Sequence, residues 1–160
     1  MAYVYDLDSE LSDVFVDNLG TSVVEFALGY DLEQEEVILF SVTLGPSIDG
    51  VSDLRFGIRR RHIEKEWKVT GLDFSRESVL ECVPSYAREE VRILLSASVS
   101  MLARACTDEK ITMETYYRNL PAAALEKYEM ITNVLIDNGF LVETKFQDLE
   151  GVNYWLYRRG

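Results

Sequence analysis

The stretch SVVEFALGYDLEQEEVILFSVTL, residues 22–44, decides the fold. Val24, Phe26, Leu28 and Tyr30 alternate with Glu25, Ala27 and Gly29, and Ile38, Phe40, Val42 and Leu44 keep the same period over residues 36–44. A period of two places one set of side chains on one face of a pleated strand. The acidic segment between the runs, Asp31-Leu32-Glu33-Gln34-Glu35, is the loop of a hairpin. Gly45-Pro46 and Asp49-Gly50 then punctuate the chain.

The β pattern resumes in residues 54–61, where Phe56 and Ile58 alternate with Arg55, Gly57 and Arg59. It continues in residues 63–70, where Ile63, Trp67 and Val69 share a face. No turn signal separates these two runs, so a hairpin, one long bent strand and a partial helix all fit. The sum is an antiparallel meander of three or four strands. Ahead of it, residues 8–19 predict a short helix: Asp8 or Ser9 caps it, Leu11, Val14, Phe15 and Leu19 form one stripe, and Gly20 ends it.

From residue 75 the period lengthens. Ser75 opens a turn that caps a short helix through Glu81, and Pro84 starts a long helix to about Ala105. Its apolar rows are Val91, Leu95, Ser98, Leu102 and Leu94, Ala97, Met101, leaving a thin polar ridge of Arg92, Ser96, Ser100 and Arg104. A helix this apolar is expected at the centre of the molecule, packed on the sheet. Pro121 starts another helix to Asn138, with Ala124, Tyr128, Ile131 and Leu135 on its buried stripe and Asn138-Gly139 as its stop.

Two strands follow, at about 140–146 and 152–158, joined by the turn at 147–151. In the second, Tyr154 and Leu156 share one face and Trp155 and Tyr157 the other. One face meets the helices. The other is either further core or an aromatic patch for a partner or a second copy, which makes a homodimer one of the expectations.

These elements make an α+β fold: an N-terminal antiparallel β-meander packed on a long central helix, then a C-terminal helix and β-hairpin. The 160 residues fit a single domain, with a β-rich part over 1–74 and a helical part over 75–160. The order helix, Gly-Phe, strand, turn, strand in residues 121–159 also has the outline of the second half of a winged helix, with residues 111–119 as the preceding helix. A DNA-reading helix brings Lys, Arg, Asn or Gln to the groove. Here the exposed positions are Glu126, Lys127, Glu129, Thr132, Asn133 and Asp137, and the wing tip is acidic. A winged fold with that surface suits a protein partner better than DNA.

Charge is distributed unevenly. The first basic residue is Arg55, and 12 acids precede it, from Asp6 to Asp53. Residues 55–68 then hold six Lys or Arg against two Glu, while the whole chain has a formal net charge of −12. An acidic surface repels phosphate backbones, so nucleic-acid binding is disfavoured unless the basic stretch stands on its own face. The blander reading is that the acids keep the domain soluble and the arginines pair with them within one sheet.

Several chemistries can be set aside. Asp6-x-Asp8-x-Glu10 resembles the start of a calcium loop, but the glycine needed at its sixth position is Leu11 and the twelfth is Asp17. His62 is the only histidine, which rules out sites built on two imidazoles, and neither Gly-rich phosphate motif occurs. Glu66-x-Lys68 with Asp49 or Asp53 has the residue types of a metal-dependent nuclease site, on a spacing that arises freely in charged sequences. Cys82 and Cys106 form no CxxC or Cys/His cluster, so unpaired thiols in a reducing, cytoplasmic setting are expected. The N-terminus carries no secretory pattern, and the longest apolar run, residues 93–103, falls short of the roughly 20 residues that span a bilayer.

The expectation is a soluble, non-enzymatic protein-binding module, of inhibitor, immunity-type or regulatory accessory kind. It uses no cofactor or metal and presents its acidic N-terminal third to a basic partner. The contact residues expected are Glu33, Glu35 and Glu36 at the hairpin tip, Arg59 and Arg61 beside it, and Trp67 and Trp155 as aromatic platforms. The alternative is a nucleic-acid-associated protein using Arg59-Arg60-Arg61 or the winged outline.

Overall fold

Residues 22–44 fold into the expected hairpin, strands β3 (Ser22–Asp31) and β4 (Glu36–Leu44), with Phe26 opposite Phe40 and Val24 opposite Val42. The computed structural model describes residues 2–66, 68–69, 71–115 and 120–160. Within them β1 (Tyr3–Tyr5) and β2 (Phe15–Val16) precede the hairpin. β5 (Val51–His62), α1 (Arg76–Cys82), α2 (Arg88–Ala105), β6 (Lys110–Glu114), α3 (Ala122–Asp137), β7 (Phe140–Gln147) and β8 (Asn153–Arg159) follow it. The strands form one mixed sheet in the order β1-β3-β4-β5-β6-β8-β7, with β2 as a second partner of β3. This is an α+β fold, and its core draws side chains from both halves of the chain.

Among the described residues, α1, α2 and α3 pack on one face of the sheet and meet over Phe40. Rings run across that face as a chain: Phe26 stacks on Phe40 at 5.2 Å, Phe40 on Phe56 at 6.2 Å, and Phe56 meets Tyr128 of α3, which stacks on Trp155 at 5.5 Å. Val91, Leu95, Ser98 and Leu102 of α2 are buried as the periodicity requires. The Tyr157 hydroxyl meets Thr132 Oγ1 at 2.6 Å, fastening the last strand to α3.

The expected helix over residues 8–19 does not form. That segment is extended along β3, whose outer edge would otherwise leave its backbone groups unpaired. The Asp6, Asp8 and Ser12 amides donate to the carbonyls of Leu28, Ala27 and Glu25, and Ser12 Oγ accepts from the Glu25 amide at 2.9 Å. Leu7, Leu11 and Val14 still pack against the core, while Leu19 is 79% exposed. Pairing a long strand edge outweighs a short helix of modest amphipathicity. β1 lies so close over Gly29 that a Cβ there would stand 2.0 Å from the Val4 carbonyl oxygen.

β5 is one strand, and of the run expected over 63–70 the described residues, 63–66 and 68–69, do not continue it. His62 Nδ1 accepts from the amides of Glu64 and Lys65 at 3.1 and 3.0 Å, so an imidazole builds the turn that glycine or proline usually marks. The chain returns beside β5, where Val69 bridges Arg61, and Asp73 exchanges two 2.9 Å backbone hydrogen bonds with Ile58.

Only the first three residues of β5, Val51–Asp53, pair with β6, in parallel, and α2 is the crossover between the two strands. Residues 110–114 are thus a strand rather than the helix expected over 111–119, and residues 116–119 lie outside the described residues. β8 inserts between β6 and β7, so the C-terminal hairpin extends the main sheet. The helix face takes Trp155 and Tyr157; Tyr154 and Leu156 lie on the opposite face.

Candidate functional site

The acids of the first third divide into those with partners in the fold and those without. Glu25 Oε2 lies 3.9 Å from Arg59 Nη1 and accepts from the Ser41 hydroxyl at 3.4 Å. Glu35 Oε2 lies 3.3 Å from His62 Nε2. Asp53 pairs with Arg55 Nε at 2.5 Å and accepts from Thr112 Oγ1 at 3.0 Å. Asp31 is fully buried, and its Oδ1 accepts the Gln34 amide within the hairpin tip. Asp17 accepts the amides of Leu19 and Thr21 in the turn before β3.

Five others form no ion pair among the described residues, although Asp8 Oδ1 accepts the Glu10 amide at 3.0 Å. Asp6, Asp8, Glu10 and Asp13 are exposed along the edge segment, and Glu33 is exposed at the hairpin tip. Because Tyr3 pairs with Asp31, the edge segment starts beside that tip and runs back along β3 to Val16 opposite Ser22. These five acids therefore follow one border of the sheet, while Asp49 is exposed away from it, in the turn between β4 and β5, and Glu36 is half-buried at the start of β4. No Lys or Arg occurs before Arg55 to interrupt them.

The basic stretch does not form a matching patch. Arg59 and Arg61 point to the face of β5 opposite the helices, and Arg60 lies opposite the buried Ile38 on the helix side. Arg59 is held near Glu25 with only 17% of its side chain exposed. Trp67 lies outside the described residues. Trp155 is 4% exposed, stacked on Tyr128 with Lys145 Nζ 5.6 Å from its ring centre, so it belongs to the core rather than to a contact surface.

The face of the sheet away from the helices is a broad concavity. One part, of about 650 Å³, lies over Thr43, Arg55 and Arg59 between the 17–21 turn and the returning segment at 69–74. A second, of about 660 Å³, lies over Asp53, Thr112, Glu114 and Leu156 and is bordered by Phe146 stacked on Tyr154. Burial, and then the negative charge of Asp53, push the Glu114 carboxyl up. The floor is polar and the rim, with Ile48 and Phe146, is apolar and exposed.

Among the described residues no group of three or more His, Cys, Asp and Glu could hold a metal ion, so Asp49, Asp53 and Glu66 do not converge. Burial pushes both the Cys82 and the Cys106 thiol up, away from the thiolate a nucleophile needs. The charged neighbours of Cys82 are Arg60, Glu81 and Asp73, while His62 is engaged with Glu35. No described helix is long and apolar enough to cross a membrane.

One cluster was invisible to the sequence reading. Arg76, Arg88, Arg92 and Lys127 line a pocket of about 140 Å³ between the three helices, over Phe40. Each stands apart in sequence from the basic stretch at 55–68; Arg88 and Arg92 share a ridge of α2, but no local pattern joins them to Arg76 or Lys127. Comparison of the chain with protein-family models, with curated proteins and with solved structures finds no match.

Proposed function

We propose that the chain is a non-enzymatic protein-binding module, of inhibitor, immunity-type or regulatory accessory kind, that docks a basic partner along its acidic border. The supporting observation is the line of exposed carboxylates Asp6, Asp8, Glu10, Asp13 and Glu33, none of which forms an ion pair among the described residues. The arginines nearest in sequence are turned to other faces, so the border keeps its field. A single-sign border of this kind steers an oppositely charged partner and sets orientation on docking.

The nucleic-acid reading has less support. Alternation along β5 divides Arg59-Arg60-Arg61 between two faces, and Glu25 already stands beside Arg59. A cytoplasmic setting belongs to the same proposal and rests on the two unpaired cysteines.

The experiment is capture of the natural partner by the intact chain, followed by changing Asp6 to Asn and Glu10 and Glu33 to Gln together. A basic partner whose affinity falls roughly tenfold, and falls further with added salt, supports the proposal. A partner bound equally well by the triple variant contradicts it.

A further inference from the structure

The sheet turns one face to the helices; the other, over β6, β8 and β7, is the open concavity of about 660 Å³. Register places Glu114, Tyr154 and Phe146 in one row across those three strands on the open face. Phe146 stacks on Tyr154 with 4.9 Å between ring centres and 14° between planes. Glu114 flanks Tyr154 on the opposite side, so the row reads carboxylate, ring, ring.

Of the charged side chains lining this concavity, Asp53 and Arg55 pair with each other, and Arg55 also lies 5.2 Å from the centre of the Phe74 ring. Asp148, close by, accepts the Glu150 and Val152 amides and the Tyr154 hydroxyl. Only Glu114 is left over. Its carboxylate is half-buried yet forms no hydrogen bond or ion pair among the described residues. Burial and then Asp53 push that carboxyl up, with Arg55 opposing them from a distance. A cation set against Tyr154 would complete the charge and meet the negative face of a ring.

Apolar side chains exposed to water surround this carboxylate. Ile48 and Phe146 line the concavity, and Leu149 follows Asp148 in the β7–β8 turn. Exposed apolar groups gathered round one charged point have the make-up of a protein contact, an anchor ringed by neighbours that exclude water. A free amine would cover Glu114 and leave Ile48 and Leu149 in water. The occupant that uses the whole surface is a polypeptide.

We propose that this concavity docks a segment of a partner protein that inserts one arginine between Glu114 and Tyr154, its apolar neighbours resting on Ile48 and Phe146. Arginine suits the slot better than lysine because a planar guanidinium stacks on a ring while it forks to a carboxylate. β4 and β5 separate this site from the acidic border along β1 and β3, so either proposal can fail alone.

Selection of phage-displayed random heptapeptides on the intact chain tests it. Enriched peptides should carry an arginine flanked by apolar residues. A synthetic copy of the best one should lose affinity roughly tenfold on Glu114→Gln and roughly fivefold on Phe146→Ser, both with unchanged circular dichroism. Citrulline in place of its arginine should cost about as much as Glu114→Gln. The Asp6→Asn, Glu10→Gln, Glu33→Gln variant should bind it as the wild type does. No enrichment, enriched peptides without a basic residue, or equal affinity in a folded Glu114→Gln variant overturns the proposal. So does n-butylguanidine binding as tightly as the peptide, which would make the concavity a small-molecule site. Loss confined to the Asp6, Glu10, Glu33 variant overturns it while leaving the acidic border standing.

Discussion

Glu25 and Arg59 face each other across the β3–β4–β5 meander with 3.9 Å between Oε2 and Nη1, on strands that are not neighbours. β4 lies between them and contributes Ser41, whose hydroxyl donates to the same carboxylate oxygen. The pair removes Arg59 from the surface and spends one of the early acids on the fold.

Glu25→Gln therefore leaves a shielded guanidinium without its counter-charge, and Arg59 Nε already lacks a hydrogen-bond partner. The expected loss is about 1–3 kcal/mol in urea unfolding, with part of it recovered in the Glu25→Gln, Arg59→Met double variant. An additive double variant would mean that the two side chains do not interact.

Gly29→Ala should detach β1. The added methyl meets the Val4 carbonyl, backbone that has nowhere to retreat while Tyr3 pairs with Asp31 and Tyr5 with Gly29 itself. We expect a loss of roughly 1–3 kcal/mol and new protease cleavage within the first ten residues. Unchanged cleavage would show that the edge segment is not held in this way.

Lys127→Met should stabilise the free protein at neutral pH. The folded pKa of about 8 lies below the ordinary lysine value, so the unfolded chain binds more protons between the two. Wild-type stability should accordingly rise as pH passes from 7 to 9, and the variant should lack that rise. The gain at pH 7 is on the order of 1–3 kcal/mol, offset by the lost contacts with Phe56 and Tyr128. Burial pushes the Tyr3 and Tyr157 phenols up, so stability falls again once unfolded tyrosines ionise near pH 10. Urea melts at pH 7, 8 and 9 keep the two effects apart.

These contrasts mark where local pattern stops being informative. The hairpin of residues 22–44, α1 capped by Ser75 and the buried rows of α2 follow from periodicity and caps that neighbouring residues carry. The edge segment misleads because its apolar spacing suits a helix, whereas the need it answers is the unpaired border of β3, which no pattern within residues 8–19 reveals. The turn after β5 is hidden because an imidazole makes it. Parallel pairing of Val51–Asp53 with residues 110–112, and the meeting of Arg76 with Lys127, join positions that only the crossover brings together. Of the expected contact residues, Glu33 is exposed at the hairpin tip, Glu35 stands beside His62, and Glu36 is half-buried as the first residue of β4. Trp155 is in the core because its face of β8 is the one the helices cover.

The acidic border is tested most directly by comparing two variants of equal net charge against the captured partner in one surface plasmon resonance series. One carries Asp6→Asn, Asp8→Asn, Glu10→Gln and Asp13→Asn. The other carries Glu109→Gln, Glu126→Gln, Glu129→Gln and Asp137→Asn, at exposed positions away from that border. The account predicts a fall in affinity of roughly tenfold or more, mostly in the association rate, for the first variant and near wild-type binding for the second. Equal affinities for the two variants would contradict it.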